Sequence, residues 1–186
     1  MLKQGALSRA FTWLESGPVT MITTKDGRKN NVFTISWTLV LDFTPRLAIV
    51  TGAWNHSFDN ILKNKECVIC VPGADLLETT VRVGSVSSTE VDKFKEFNLK
   101  TKIAALVQAP LLADCLACVE CKLVDYVPAH NLLVFDGVKL WENSSRKEKR
   151  VAHAIGDGAF VLDGTVTTAY REIMADKVPA GSLRIK

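Results

Sequence analysis

Residues 31–41, NVFTISWTLVL, alternate between two side-chain classes. Phe33, Ile35, Trp37, Leu39 and Leu41 share one parity; Val32, Thr34, Ser36, Thr38 and Val40 share the other. Successive side chains of a β-strand leave opposite faces, so this run predicts a strand with one apolar face and one face bearing hydroxyls at its centre. Ahead of it lies PVTMITT, residues 18–24, and between the two stands Lys25-Asp26-Gly27-Arg28. Asp-Gly accepts the positive φ angles of a tight hairpin turn, so the two runs are expected to pair as an antiparallel hairpin.

More strands follow. PRLAIVTG (45–52) predicts a third strand, and ECVICV a short buried one ending at Pro72. ACVECKLVDYV and NLLVFDGVKLW predict two long strands joined at Val127-Pro128-Ala129-His130. Helical spacing is confined to shorter stretches. Leu2, Ala6, Leu7, Ala10, Phe11 and Leu14 predict an amphipathic helix over 3–15. Phe58, Ile61 and Leu62 predict a helix over 57–64, with Asn55 or Ser57 as its cap. Residues 74–82 and 88–97 are also expected to be helical. Ser87 and Glu90 have capping-box spacing, and Val91, Phe94 and Phe97 form an inner stripe. The charged stretch from 144 predicts a further helix, followed by AFVLDG and a weakly ordered end. Strands dominate and no β-α-β alternation occurs, so the expected class is mainly β, a β-barrel with short helices. With no repeat, low-complexity segment or linker, the 186 residues are expected to form one domain, 1–186.

Composition excludes several classes. Hydrophobic residues make up 47% of the chain, which argues for a globular fold over long disorder. The net charge of +3 is mild, and the basic run Arg146, Lys147, Lys149, Arg150 is interrupted by Glu148. It is expected to be a solvated face, with no nucleic-acid partner. No apolar run approaches the roughly 20 residues of a membrane span, and the N-terminal stretch lacks the apolar centre of a secretion signal. No membrane partner is expected. Five cysteines without such a signal suggest a reducing compartment, so the expected localisation is cytoplasmic.

Cys67-x-x-Cys70 and Cys115-x-x-Cys118-x-x-Cys121 resemble metal-site spacing. Residues three apart on a strand point to opposite faces, so these thiols are expected to pack as core residues; metal binding and redox work stand as the alternatives. The three histidines are scattered, and no GxSxG, HExxH, GxGxxG or P-loop motif is present.

The hydroxyl-bearing strand face remains, with the loops beside it. A phosphate-bearing aromatic cofactor needs hydroxyls or N–H groups for its phosphate, a flat apolar surface for its ring, and a cation where charge develops. Thr34, Ser36 and Trp37 can serve the first two needs. The helix start at His56-Ser57 offers an anion site, and Lys93 offers the charge. By residue type alone these are equally ordinary strand and cap residues.

The order of the pieces carries a resemblance. PVTMITTKDGRKNNVFTISW, FTPRLAIV and NHSFDNILKNKECVICVP are followed by VGSVSSTEVDKF, APLLADCLACVECKLVDYV and HNLLVFDGV. Over residues 15–140 this resembles the flavin reductase-like FMN-binding family, with VGSVSSTEVDKF similar to its GxxSGxxxDKF segment. Ser88 stands where that segment has its second glycine. The resemblance implies a split barrel with Greek-key strand order, a homodimer, and FMN near the subunit interface. It implies flavin contacts from Asn31 and Trp37, with Thr34 and Ser36 in the same run. It implies a phosphate-binding hydroxyl at Ser57, with Asn55 and His56 beside it. It also implies contacts from Lys93, from His130 at the start of the strand after the proline loop, and from Phe160 in AFVLDG. The implied function is an NAD(P)H-linked flavin reductase passing electrons through FMN. The alternative is a flavoredoxin-type electron carrier that exchanges electrons with a redox protein and does not oxidise NAD(P)H. A thiol or metal protein built on the cysteines is the third reading.

Overall fold

The structure, a computed structural model, describes residues 1–27, 29–174 and 177. In chain order its elements begin with β1 (Lys3–Gly5), β2 (Thr20–Asp26), β3 (Lys29–Ile35), β4 (Thr38–Val40) and β5 (Arg46–Val50). Next come α1 (Phe58–Asn64), β6 (Glu66–Val71), α2 (Leu77–Ser85) and α3 (Lys93–Glu96). Two short strands, β7 (Thr101–Lys102) and β8 (Leu111–Leu112), precede the long β9 (Ala117–Val127) and β10 (Leu132–Glu142). A hairpin of β11 (Ala152–Ala154) and β12 (Phe160–Leu162) follows.

The Asp-Gly hairpin forms as expected, with β2 and β3 in register from Thr20↔Ile35 to Asp26↔Lys29. Gly27 takes φ +53°, a conformation in which a Cβ would be strained. The main sheet is antiparallel in the order β3-β2-β6-β9-β10-β5-β4, with β1 paired to the far end of β10. Its two edge strands are therefore β3 and β4, which are consecutive in the chain and separated only by Ser36 and Trp37. Three extended steps span about 10 Å, whereas seven flat strands would hold their edges roughly 29 Å apart. The sheet must curl until its edges meet, and the result is an antiparallel half-barrel. Trp37 O accepts from Val50 N at 3.0 Å where the link enters β4.

Inside the curl, Ile22, Phe33, Leu47, Ile69, Val119 and Phe135 converge in the larger core. Outside it, Met21, Val32, Val68, Val83, Leu111 and Leu112 form a second core beneath α2, α3 and the segment leading to β9. The central strands are covered on both faces, which explains why all six residues of β6 are buried and why ECVICV lacks alternation. Two buried carboxylates pin the segment before β8. Glu120 accepts from the N–H groups of Ala105 (2.9 Å), Leu106 (2.5 Å) and Val107 (3.1 Å), and Glu66 accepts from Gln108 N at 2.6 Å. Among the described residues no helix is long and apolar enough to cross a membrane.

Four expectations are corrected. The helix expected over 3–15 is instead β1 followed by a 3-10 helix at Leu7–Trp13. The Arg9 guanidinium pairs with Glu142, and Trp13 Nε1 donates to the other carboxylate oxygen at 3.0 Å, so β10 claims this segment as strand partner and ion pair together. The helix expected over 88–97 shrinks to α3. Asp92 Oδ1 caps it by accepting from Phe94 N (3.1 Å) and Lys95 N (3.3 Å), while Ser87 Oγ closes a local turn on Thr89 N. The stretch from 144 is not helical among the described residues. Its charges pair across the coil, Arg146 with Asp75 (2.5 Å) and Arg150 with Glu148 (2.6 Å), and β11 and β12 follow. Most of the end beyond 174 lies outside the described residues. Finally, the alternation of 31–41 does not cross the link. Phe33 and Ile35 face the larger core, but Trp37, Leu39 and Leu41 are exposed and Val40 packs inward, because the chain passes from one edge of the sheet to the other.

Candidate functional site

Asn31 projects from β3 and is almost wholly buried. Its Nδ2 donates to Ser57 Oγ at 2.7 Å, and its Oδ1 accepts from Val32 N at 2.7 Å. Ser57 is fully buried on the turn before α1, and its N–H donates to Asn55 Oδ1 at 3.0 Å. Its hydroxyl therefore lies behind Asn31 and orients it, without capping α1. Asn55 is half-buried and His56 exposed on the same turn. Thr51 N donates to Asn131 O at 3.0 Å, which brings the turn carrying exposed His130 alongside. Gly52 packs closely against this turn: a Cβ there would lie 2.7 Å from Asn131 Oδ1, so that side chain would have to shift.

Lys93 opens α3, and its ammonium reaches the free edge of β3. Nζ donates to Val32 O at 3.0 Å and to Val83 O at 2.9 Å. The residue is 6% exposed, and burial pushes its pKa below the ordinary lysine value. Two of its three hydrogens meet carbonyls, and none of the described residues claims the third. Asn31, Ser88, Thr89, Asp92, Lys93 and Phe94 line one cleft of about 480 Å³ beside this edge.

The other expected residues fall around this cleft differently. Thr34 Oγ1 donates to Thr80 O at 2.5 Å, docking α2 on β3, and Gly84 permits the approach because a Cβ there would lie 3.0 Å from Thr34. Ser36 is half-buried in the link, and Trp37 is 60% exposed. Phe160 is half-buried on β12. That hairpin is anchored by Val19 N to Ala152 O (2.8 Å) and by His153 to Gly17 O, away from the Asn31–Ser57 contact.

Two further residues escape sequence reasoning. The hydroxyls of Thr51 and Thr38 are buried without a protein partner among the described residues. Nothing distinguishes them from ordinary strand threonines in the sequence; only the Thr51-Gly52 pair at a strand end hints at a close approach. The cysteines diverge within each strand as expected, but the register joins them across strands: Cys67 faces Cys121 and Cys70 faces Cys118. Among the described residues no group of three or more His, Cys, Asp or Glu side chains is placed to hold a metal ion.

A curled antiparallel sheet of this order, closed by a two-residue link, defines a split-barrel domain, with a buried asparagine and lysine lining a cleft at one edge. The Flavin reductase like domain matches residues 14–160, and the chain belongs to that family, whose cofactor is FMN. The chain is 28% identical over 181 residues to YddH of Escherichia coli K12, covering 88% of this chain and 95% of that protein. In structure it is similar to an FMN-binding domain of a flavin reductases-like enzyme from Shewanella baltica OS155, with TM-score 0.83 and 24% identity over 90% of this chain and 97% of that one. It is also similar to flavoredoxin of Desulfovibrio vulgaris (Miyazaki F), with TM-score 0.75 and 16% identity over 82% and 89% of the respective chains.

The residues present fit a phosphorylated flavin. A buried ammonium with an unclaimed hydrogen lines a cleft of about 480 Å³, volume for a ring system.

Proposed function

We propose that this chain binds FMN and acts as an NAD(P)H-linked flavin reductase, one domain over 1–186 that works as a homodimer. The observation that carries this reading is the shared cleft of Asn31 and Lys93, two buried polar side chains at one sheet edge.

FMN supplies the hydride and electron chemistry when bound, and the protein supplies position and charge. Lys93 sets a fixed positive charge in the cleft wall. Charge gained on reduction is stabilised beside it, because electrostatic energies are several-fold larger in a partly dry site than in water. Asn31, held by Ser57, orients polar edges. Asn55 and His56 present the reachable face of the phosphate turn, with His130 beside it. Trp37, exposed at the link beside Ser36, offers a flat apolar cover, while Thr34 holds α2 against β3. Trp37, Leu39 and Leu41 are three successive outward positions left in solvent, which supports a subunit contact along β4.

The deciding experiment titrates purified protein with FMN and then adds NADH or NADPH without oxygen, watching the flavin band at about 450 nm. Binding followed by bleaching is expected. Binding without bleaching by either nucleotide would assign the flavoredoxin-type carrier role instead. A flavin-free protein holding stoichiometric zinc or iron would overturn both in favour of the thiol–metal reading.

A further inference from the structure

Trp54 is 64% exposed, yet its indole has a seat. The residue stands third in a turn that Asn55 N closes by donating to Gly52 O at 2.9 Å. A Cβ at position 52 would lie 2.5 Å from Trp54 Cζ3 and 2.9 Å from Cε3, so the six-membered ring rests in the space a side chain would fill. Asn131 borders the same space, and Thr51 N holds Asn131 O at 3.0 Å. Trp13 and Trp141 are fixed differently, each donating its indole N–H to a carboxylate, Glu142 and Glu120 respectively. Among the described residues nothing accepts from the Trp54 indole, and the part of it not lying on Gly52 is open.

The turn runs on without a break into His56 and Ser57. Ser57 N donates to Asn55 Oδ1 at 3.0 Å and Phe58 N to Asn55 O at 2.9 Å, with His56 exposed between them. Trp54 and His56 are two residues apart, so their Cα atoms are separated by at most about 7 Å. A group carried on a phosphate held at His56 is therefore within reach of the indole. FMN ends at its phosphate. In FAD the same phosphate continues through a second phosphate and a ribose to adenine. Adenine presents a flat π face, and so does a seated, solvent-facing indole; such stacking needs no particular hydrogen-bond pattern. A ring already resting on backbone also has little rotamer freedom to lose when a base lands on it.

We infer that Trp54 is a flavin-selecting residue that stacks the adenine of FAD, so that the site takes FAD as well as FMN. This rests on the reading above in which the turn of Asn55 and His56 receives the flavin phosphate.

The test titrates the flavin-free chain with FMN and with FAD by calorimetry, as the natural sequence, Trp54→Ala and Trp54→Phe. The natural sequence should bind FAD at least as tightly as FMN. Trp54→Ala should weaken FAD roughly 5- to 150-fold, the size of a lost base–aromatic stack, while FMN changes by less than about twofold. Trp54→Phe keeps a ring and should recover most of the lost FAD affinity. Equal losses for the two flavins, phenylalanine no better than alanine, or FAD bound more than about tenfold more weakly than FMN by the natural sequence would each overturn the inference. In those outcomes FMN still binds and its own reading stands; binding of neither flavin would overturn both. The natural-sequence comparison decides even if the alanine variant fails to fold.

Discussion

The Lys93 ammonium lies 3.0 Å from the carbonyl of Val32, 61 residues earlier in the chain. A charged side chain thus covers the free edge of β3 where a neighbouring strand would otherwise sit. Lys93→Met keeps the length and removes the charge. Reduced FMN should then bind roughly 10- to 100-fold more weakly while oxidised FMN changes less, as expected for a charge lost in a partly dry site. The two-electron midpoint potential should fall by ~30 mV for each tenfold difference. Spectroelectrochemical titration reads both, and an unchanged potential with unchanged affinity would remove Lys93 from the cleft's chemistry.

The same burial has a pH signature. The folded pKa of Lys93 lies below its unfolded value of 10.5, so between the two the unfolded chain binds more protons. Stability of the flavin-free protein should therefore rise as pH climbs through that window, because the cost of the buried ammonium disappears on deprotonation. Urea unfolding at several alkaline pH values should show the wild-type curve climbing toward that of Lys93→Met. Parallel curves would contradict it.

Asn31 and Ser57 should behave as one unit. Asn31→Ala and Ser57→Ala each strand a buried polar partner, at a cost of about 1–3 kcal/mol. The double variant should cost less than the sum, with a coupling of roughly 0.5–3 kcal/mol. Additive effects on both stability and FMN affinity would show that Ser57 does not act through Asn31.

His56 supplies a prediction that separates phosphate from ring. His56→Ala should weaken FMN about tenfold while leaving riboflavin, which lacks the phosphate, unchanged; a lost charge-assisted hydrogen bond has that size. Isothermal titration with the two flavins measures the ratio, and equal losses for both would move the phosphate elsewhere.

Leu39→Asp or Leu41→Lys should shift the protein from dimer to monomer in sedimentation velocity, with little change in unfolding midpoint, because both side chains are about half exposed in the single chain. A dimer that survives both substitutions would place the subunit contact away from β4.

Much of the fold was legible because strand alternation and turn chemistry are local. The β2–β3 hairpin, β6, and the long β9–β10 pair all appear where pattern and Asp-Gly or proline signals agree. The failures occur where a distant partner overrides a local preference. Arg9 and Trp13 are drawn to Glu142, 133 and 129 residues away, and the N-terminal helix is replaced by a strand and a 3-10 turn. Asp92 displaces Ser87 as the cap of α3 because a carboxylate at that place reaches two N–H groups. In the site, Asn31 is reached through family resemblance alone, whereas Lys93 is also suggested by its residue type as a cation beside the strand. The commitment of Thr34 to α2, and the sealing of Ser57 behind Asn31, depend on packing that residue type does not encode.

The two-residue link between β3 and β4 has a consequence for how the protein survives crowding in concentrated solution. An open sheet ends in two rims of unpaired amides, and such rims template the stacking of further chains into fibrils. Here one rim is occupied by Lys93 and α2 and the other is only three residues long, and the link tethers them together. A foreign strand would find too few free amides in a row to nucleate growth, so the chain's own connectivity acts as its safeguard against amyloid.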